Sequence, residues 1–365
     1  MFKREFWQQF DYMLFGSVLI LCIFGIAMIQ SAVAGNEDIA GSVSRQVIFV
    51  IGGMVVMLLV SFIDYRYFSS ITRILYAVSV LLLMAIYVIG TAVYGSARWF
   101  DTGVILIQPS ELVKIVMIVI LADYFSKTQY DPKDLRWIFR SFLLTAFVVV
   151  WILLQPNLSM SIVIFFMWFT LMFYAGLPIR YLVILGVVGI VAIAVGFPLL
   201  EEYQQSRVLN FIFPDPNASY GDNFNVEQAK ISIGSGGFLG MGYGHGSQVQ
   251  LRFLKVRHTD FIFSAMANEF GFVGTVVVIL LLAFVVIRCF RIGQKSTDIF
   301  GSLIAYGIGT LIFFQMAVNI GVNLNVIPVT GLTLPFISYG GSSLASLLLG
   351  MGFVESVSAH RHKNI

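Results

Sequence analysis

Ten separate stretches of this chain are long and apolar enough to cross a bilayer, and no other feature restricts the fold as much. A span takes ~20 mostly apolar residues, because lipid offers no partner to a backbone amide and each segment must satisfy its own. The runs fall at roughly 11–33, 44–63, 72–93, 110–126, 138–155, 158–175, 180–200, 260–289, 299–322 and 339–358. Prolines 109, 156, 178, 198, 328 and 335 lie at or near their ends, where a missing N–H costs least. The fold class implied is an all-α polytopic membrane protein of about ten transmembrane helices, with residues 1–365 forming one transmembrane domain. A chain that is 58% hydrophobic, with a mean hydropathy of +0.90, lies far from a soluble domain.

Charge sets the expected orientation. Lys3 and Arg4 precede the first run, and Ala32-Val33-Ala34 mimics a signal-peptidase site. The stretch Tyr12 to Val33 is long for a signal segment and long enough to span, so it reads as a retained first helix. With the N-terminus inside, most cations gather in inner segments, while the short outer loop 34–43 holds Glu37, Asp38 and no cation. An even number of spans then puts both termini in the cytoplasm. Residues 201–259 become a large extracellular loop between spans seven and eight. A net charge of +3 spread over loops leaves no nucleic-acid footprint. Cys22 and Cys289 sit in apolar segments and read as packing residues rather than a disulfide or metal pair.

A loop as long as 201–259 is disordered or functional. Its Phe211, Ile212, Phe213, Ile231, Ile233, Phe238 and Leu239 argue against full disorder. Val226 to Ile233 suits a short amphipathic helix on the membrane surface. The run from Ile233 to Ser247 has seven glycines in fifteen residues. It reads as an anion-binding nest or as a flexible linker. It is no Walker A loop, since no Gly-Lys-Ser/Thr follows.

Polar side chains at the membrane are the candidate chemistry. Lys255-Val256-Arg257-His258-Thr259-Asp260 runs straight into the apolar stretch that starts at Phe261. A carboxylate at the mouth of a membrane helix is a functional candidate, although Asp is also a favoured N-cap. Glu111 and Lys114 are three apart, on one face of the fourth span, with Pro109 to start that helix and Ser110 to cap it. Such a pair either locks helices together or lines the same outer cavity as Asp260. Arg98 suits a phosphate and Trp99 an interfacial belt. Glu269 is nine residues beyond Asp260, half a turn out of phase on an ideal helix, and should pair inside the bundle. Ser338-Tyr339-Gly340-Gly341-Ser342-Ser343 combines a cap with small residues suited to close packing, or to room for a ligand. There is no His/Cys metal spacing, no Gly-x-Ser-x-Gly and no Rossmann pattern. Nor are there inverted halves with matching broken helices.

Taken together, the motifs resemble one family. Gln108-Pro109-Ser110-Glu111-Leu112-Val113-Lys114, Ile233-Gly234-Ser235-Gly236-Gly237 and Arg257-His258-Thr259-Asp260-Phe261-Ile262-Phe263 are similar to signatures of the SEDS family (shape, elongation, division and sporulation). So are Asn319-Ile320-Gly321 and Leu334-Pro335-Phe336-Ile337-Ser338-Tyr339-Gly340-Gly341-Ser342. His245-Gly246-Ser247-Gln248-Val249-Gln250-Leu251 looks like the RodA branch, and Gly331-Leu332-Thr333-Leu334-Pro335-Phe336 like FtsW or sporulation members. Four positions depart from the pattern. Asn157 and Ser159 stand where an aspartate and a glycine are common, Lys255 replaces a proline, and Val256 replaces an acidic residue.

The resemblance implies a peptidoglycan glycosyltransferase that polymerises lipid II on the outer face of the cytoplasmic membrane, with Asp260 as the general base. It implies substrate contacts from Arg98, Trp99, Glu111, Lys114, Lys230, Gly236, Gly237, Arg257, His258, Thr259, Ser338, Gly340 and Gly341. A magnesium or manganese ion could assist at the pyrophosphate, although the sequence shows no dedicated cage. The implied partners are a class B penicillin-binding protein and other cell-elongation membrane proteins. A lipid II flippase and a non-catalytic scaffold are the competing readings.

Overall fold

The computed structural model describes residues 4–35, 39, 41–93, 96–101, 106–214, 221–254 and 256–361. A short α1 (Arg4–Gln9) precedes α2 (Tyr12–Val33), α3 (Gly41–Phe62) and α4 (Arg66–Ile89). Three short strands, β1 (Thr91–Val93), β2 (Ser96–Asp101) and β3 (Leu106–Ile107), form an antiparallel sheet in the order β1-β2-β3. There follow α5 (Pro109–Lys127), α6 (Leu135–Leu153), α7 (Leu158–Tyr174) and α8 (Ile179–Gly196). The long loop carries α9 (Glu202–Ile212), α10 (Gly221–Gly236) and α11 (Ser247–Gln250). The chain then re-enters the bundle as α12 (Ile262–Gln294), α13 (Ile299–Asn323) and α14 (Gly341–Ala359).

Eight of these helices are long and apolar enough to cross a membrane. α7 is apolar but shorter, at 17 residues. α5 has the length but carries Glu111, Lys114, Asp123 and Lys127. With these two the ten expected spans are present, and the protein is an all-α polytopic membrane protein. Several of its few charges fix helix ends. Asp11, Asp134 and Asp298 cap α2, α6 and α13 by accepting from Leu14, Trp137 and Gly301 N–H at 3.0, 2.9 and 2.8 Å. Inside α5, Lys114 pairs with Glu111, and Lys127 with Asp123 at 2.7 Å. The two ends of the chain meet at one end of the bundle, where Ser358 Oγ donates to the Gln9 carbonyl at 2.9 Å.

Several expected boundaries move. The third span stops at Ile89, and Thr91–Val93 is a strand in register with β2, Thr91 opposite Trp99. Gly90 and the β-branched Thr91 and Val93 favour that change. Ser110 does not cap α5. Gln108 is the N-cap, and its side-chain amide donates to Ser110 Oγ at 3.1 Å. Asp260 does not cap α12 either, because the helix starts at Ile262 and Phe261 is its N-cap. Ser338 likewise lies outside α14, whose N-cap is Gly340. The helix expected at 226–233 is longer, spanning Gly221–Gly236, and packs on protein. α10 packs against α12 with Ala229 and Ser232 fully buried.

The glycine-rich run repairs a break in a neighbouring helix. α12 is interrupted at Gly271, whose φ of 65° and ψ of −163° are not helical. Across the break, Phe272 and Val273 N–H donate to the carbonyls of Gly237 and Phe238 at 3.0 and 3.1 Å. In exchange, Met241 and Gly242 N–H donate to the carbonyls of Asn268 and Glu269 at 3.0 and 2.9 Å. These four bonds replace the ladder that the break removes, which membrane depth demands. The two backbones approach so closely that a Cβ at Gly240 would lie 2.2 Å from the Glu269 carbonyl oxygen. The run is therefore neither a free linker nor an open nest.

This geometry separates two glycines that share a left-handed φ, +82° at Gly240 and +72° at Gly244, the latter with open space around it. Gly244→Ala should cost about 1–2 kcal/mol from backbone strain alone. Gly240→Ala should cost roughly 1–3 kcal/mol more, from overpacking against α12. Thermal unfolding of the two purified variants in one detergent checks this; equal losses would refute the exchange.

Candidate functional site

The residues from Val256 to Phe261 form a turn at the mouth of α12, held from three sides. α13 supplies two asparagines, one turn apart on one face. Asn319 and Asn323 each donate a side-chain N–H to the Asp260 carbonyl, at 3.0 and 2.9 Å. Asn319 also reaches the Leu332 carbonyl at 2.8 Å. Asn323 Oδ1 accepts from Ser264 N–H at 3.0 Å and Ser264 Oγ at 2.6 Å. It thereby caps α12 from a neighbouring helix, the role for which Asp260 was a candidate. Asp260 is left one residue outside the cap, partly exposed. Its carboxylate lies toward Gly331, where an added Cβ would stand 4.0 Å from Oδ2.

The second support is the segment before α14. Ser338 Oγ donates to the Thr259 carbonyl at 2.8 Å, and Tyr339 N–H to the His258 carbonyl at 2.9 Å. Gln46 of α3, fully buried, donates to the Ser338 carbonyl at 3.4 Å. Its side-chain oxygen accepts from Gly340 N–H at 3.5 Å. Gly341 lies against the Phe49 ring, where a Cβ would come within 2.3 Å, so close packing accounts for that glycine. The segment also joins two motifs that are far apart in sequence. Ser342 Oγ accepts from Gln108 N–H at 3.0 Å and donates to the Leu106 carbonyl at 3.2 Å. The Asp260 turn and the start of α5 therefore lie at the same end of the bundle. One turn into α5, Lys114 is fully buried and ion-paired with a buried Glu111.

The third support is the end of α2. Arg257 is buried, and its guanidinium donates to the carbonyls of Ala32 and, at 3.2 Å, Leu254. Burial first, then the Arg252 charge, lowers its pKa. His258 lies tilted at 46° against Tyr339, 5.8 Å between centroids, and its buried Nδ1 has no hydrogen-bond partner among the described residues. Burial, and secondly Arg257, pushes its pKa down, which favours the neutral ring.

Other expected site residues lie apart. Trp99 is partly exposed on β2, and the Arg98 side chain and Lys255 fall outside the described part of the structure. Gly236 sits where a Cβ would lie 1.9 Å from the Ala267 carbonyl oxygen, and the Gly237 carbonyl accepts at the α12 break. Lys230 pairs with Glu227 at 2.6 Å on the rim of a cleft of about 460 Å³ shared with Arg207, Asn210 and Asn325. A cavity of about 280 Å³ lies under Tyr203, bounded by Asn157, Ser159, Thr330 and Leu332. Residues 325–332 border both spaces and the Asp260 turn. Sequence reasoning found the turn but gave Asn319 no role and passed over Asn323 and Gln46. The signal available was three amides, Gln315, Asn319 and Asn323, recurring every four residues along one face of α13.

The chain as a whole is similar to known proteins. The chain is 32% identical to the peptidoglycan glycosyltransferase MrdB of Escherichia coli K12 over 366 aligned positions, covering 98% of this chain and 96% of that one. It superposes with a TM-score of 0.83 on a chain from work on structural coordination of polymerization and crosslinking by a peptidoglycan synthase complex. That match has 31% identity and covers 97% and 99% of the two chains. The rod shape determining protein RodA of Thermus thermophilus superposes with a TM-score of 0.73 at 31% identity, covering 97% and 98%. The cell cycle protein family FTSW_RODA_SPOVE matches residues 11–363, and the chain belongs to that family.

Proposed function

We propose that this chain is a peptidoglycan glycosyltransferase that polymerises lipid II into glycan strands, with Asp260 as the general base. The observation that carries the reading is the Asp260 turn. Three elements fix its backbone, a neighbouring helix has taken over the cap, and the carboxylate stands at the helix mouth. In the reaction, the acceptor sugar hydroxyl gives its proton to Asp260. The acceptor hydroxyl oxygen forms the new bond to the donor's anomeric carbon, and polyprenyl pyrophosphate leaves with the electrons of the broken C–O bond. A β-linkage from an α-linked donor is an inversion, so one displacement suffices, and it needs one base plus leaving-group stabilisation. Arg257 donates to the carbonyls of Ala32 and Leu254, and Arg252 to that of Gly35, which leaves the leaving group to Arg98 and Lys255, with Lys114 one turn into α5. Among the described residues no three His, Cys, Asp or Glu side chains come together to hold a metal. A magnesium or manganese ion at the pyrophosphate would therefore rest on a single carboxylate such as Asp260 and on the substrate's own phosphates, and would neutralise leaving-group charge there.

The reading places the protein in the cytoplasmic membrane with both termini cytoplasmic, the Asp260 end outside, and a class B penicillin-binding protein as cross-linking partner. The synthase complex with which the fold superposes supports such a partner. Both native cysteines are fully buried, so topology can be tested in the native background. An impermeant thiol reagent added to whole cells should label Phe213→Cys and spare Tyr130→Cys. The reverse pattern would invert the orientation.

Removing Lys114 alone strands a buried carboxylate, which costs about 3–5 kcal/mol. The informative change is Glu111→Gln with Lys114→Met. If the pair serves the leaving group, the double variant should stay folded and polymerise roughly 10²-fold more slowly. Wild-type rates would leave the pair a structural role.

Asp260→Asn tests the base. The cap belongs to Asn323, so the variant should melt like wild type, while glycan-chain formation from purified lipid II falls by roughly 10²–10⁴-fold. Chain formation at wild-type rate would remove Asp260 from the chemistry. Wild-type protein that makes no chains without another polymerase would favour the flippase or scaffold.

A further inference from the structure

At the end of the bundle that carries both termini, opposite the Asp260 turn, a cavity of about 400 Å³ opens between α1, α2, α12 and the end of α14. Its charged lining consists of Arg288, Arg291, Lys295, Arg361 and Asp11. The first three lie at i, i+3 and i+7, on one face of the last turns of α12. Arg288 is committed, its Nε donating to Asp11 at 3.0 Å. Asp11 is held from behind as well, its N–H donating to the buried Glu355 at 3.1 Å. Arg291, Lys295 and Arg361 appear in no ion pair among the described residues, and Arg361 Nε is buried without a hydrogen-bond partner. Four cations against one carboxylate leave the lining at a formal +3.

The rim says what kind of anion fits. Tyr12 and Met13 line the cavity and are 58% and 63% exposed on the outer face of α2. Below them the lipid-facing surface continues along Ile20 and Ile23 of α2 and Ile287, Leu280 and Val277 of α12, all exposed. α2 and α12 pack side by side. An aromatic at the interface, a basic pocket above it and an apolar seam below it match a phospholipid headgroup with its acyl chains. We infer that this cavity binds the phosphodiester headgroup of an anionic phospholipid, a site separate from the one where glycan is made. The lipid bridges the N-terminal helices to the end of α12.

The test compares wild type, Arg291→Gln/Lys295→Gln, and the charge-keeping Arg291→Lys/Lys295→Arg. None of these changes touches the Asp11–Arg288 pair. Each full-length protein is mixed with phosphatidylglycerol or phosphatidylcholine in mixed micelles, and bound lipid is counted by native mass spectrometry. Wild type should retain phosphatidylglycerol in preference to phosphatidylcholine. The double glutamine variant should bind phosphatidylglycerol roughly thirtyfold more weakly, two cations at ~1 kcal/mol each with 1.4 kcal/mol per tenfold. The charge-keeping variant should restore retention. Arg136→Gln/Arg140→Gln, two exposed cations on α6, controls for net charge and should bind like wild type. Equal retention by wild type and the glutamine variant, or equal loss in the α6 control, would overturn the site. Displacement of phosphatidylglycerol by equimolar inorganic phosphate would overturn its assignment to lipid.

Discussion

Helix α12 cannot satisfy its own backbone at two places, and much of the half of the molecule that carries the Asp260 turn is arranged to do it instead. Its first turn needs partners for free N–H groups, and Asn323 of α13 provides one at Ser264. Its break at Gly271 orphans two donors and two acceptors, and the segment 237–242 provides all four partners. Inside a membrane each failure would cost several kcal/mol, so α13 and the long loop are obligatory parts of α12. The candidate base follows from the first of these solutions. With the cap supplied by another helix, residue 260 is released from capping, and its carbonyl becomes the anchor for both asparagines.

How much of this was legible in the sequence depends on the range of the interaction. The ten spans follow from runs of apolar residues, and nearly all ends fell within a few residues because Pro109, Pro156 and Pro178 mark them locally. Glu269 was expected to pair inside the bundle, and it accepts from Ser31 of α2. The misses are long-range. Asp260 and Ser338 each look like caps when read beside their own helix, and only the folded chain shows Asn323 and Thr259 as the true partners. The glycine run likewise resembles a linker until the break it fills is known, since nothing near Gly271 in sequence announces that four bonds will be exchanged. The β-sheet at 91–107 was missed because its strands are two to six residues long, below what periodicity resolves.

The departure at Asn157 follows the same logic and bears on the mechanism. A carboxylate is common there in proteins this chain resembles, and its loss raises the question of whether an acid is missing from the site. Residue 157 acts locally in the fold. Its Oδ1 accepts from Met160 N–H at 3.3 Å and caps α7. The amide nitrogen has no partner among the described residues, so only the oxygen is used. Asn and Asp cap equally well, and the substitution leaves the start of α7 intact. Two residues on, Ser159 donates to the Thr330 carbonyl, tying α7 to the loop whose next residue, Gly331, faces the Asp260 carboxylate. This corner thus positions the loop beside Asp260 through neutral contacts, and the proton transfer proposed there needs no charge at residue 157.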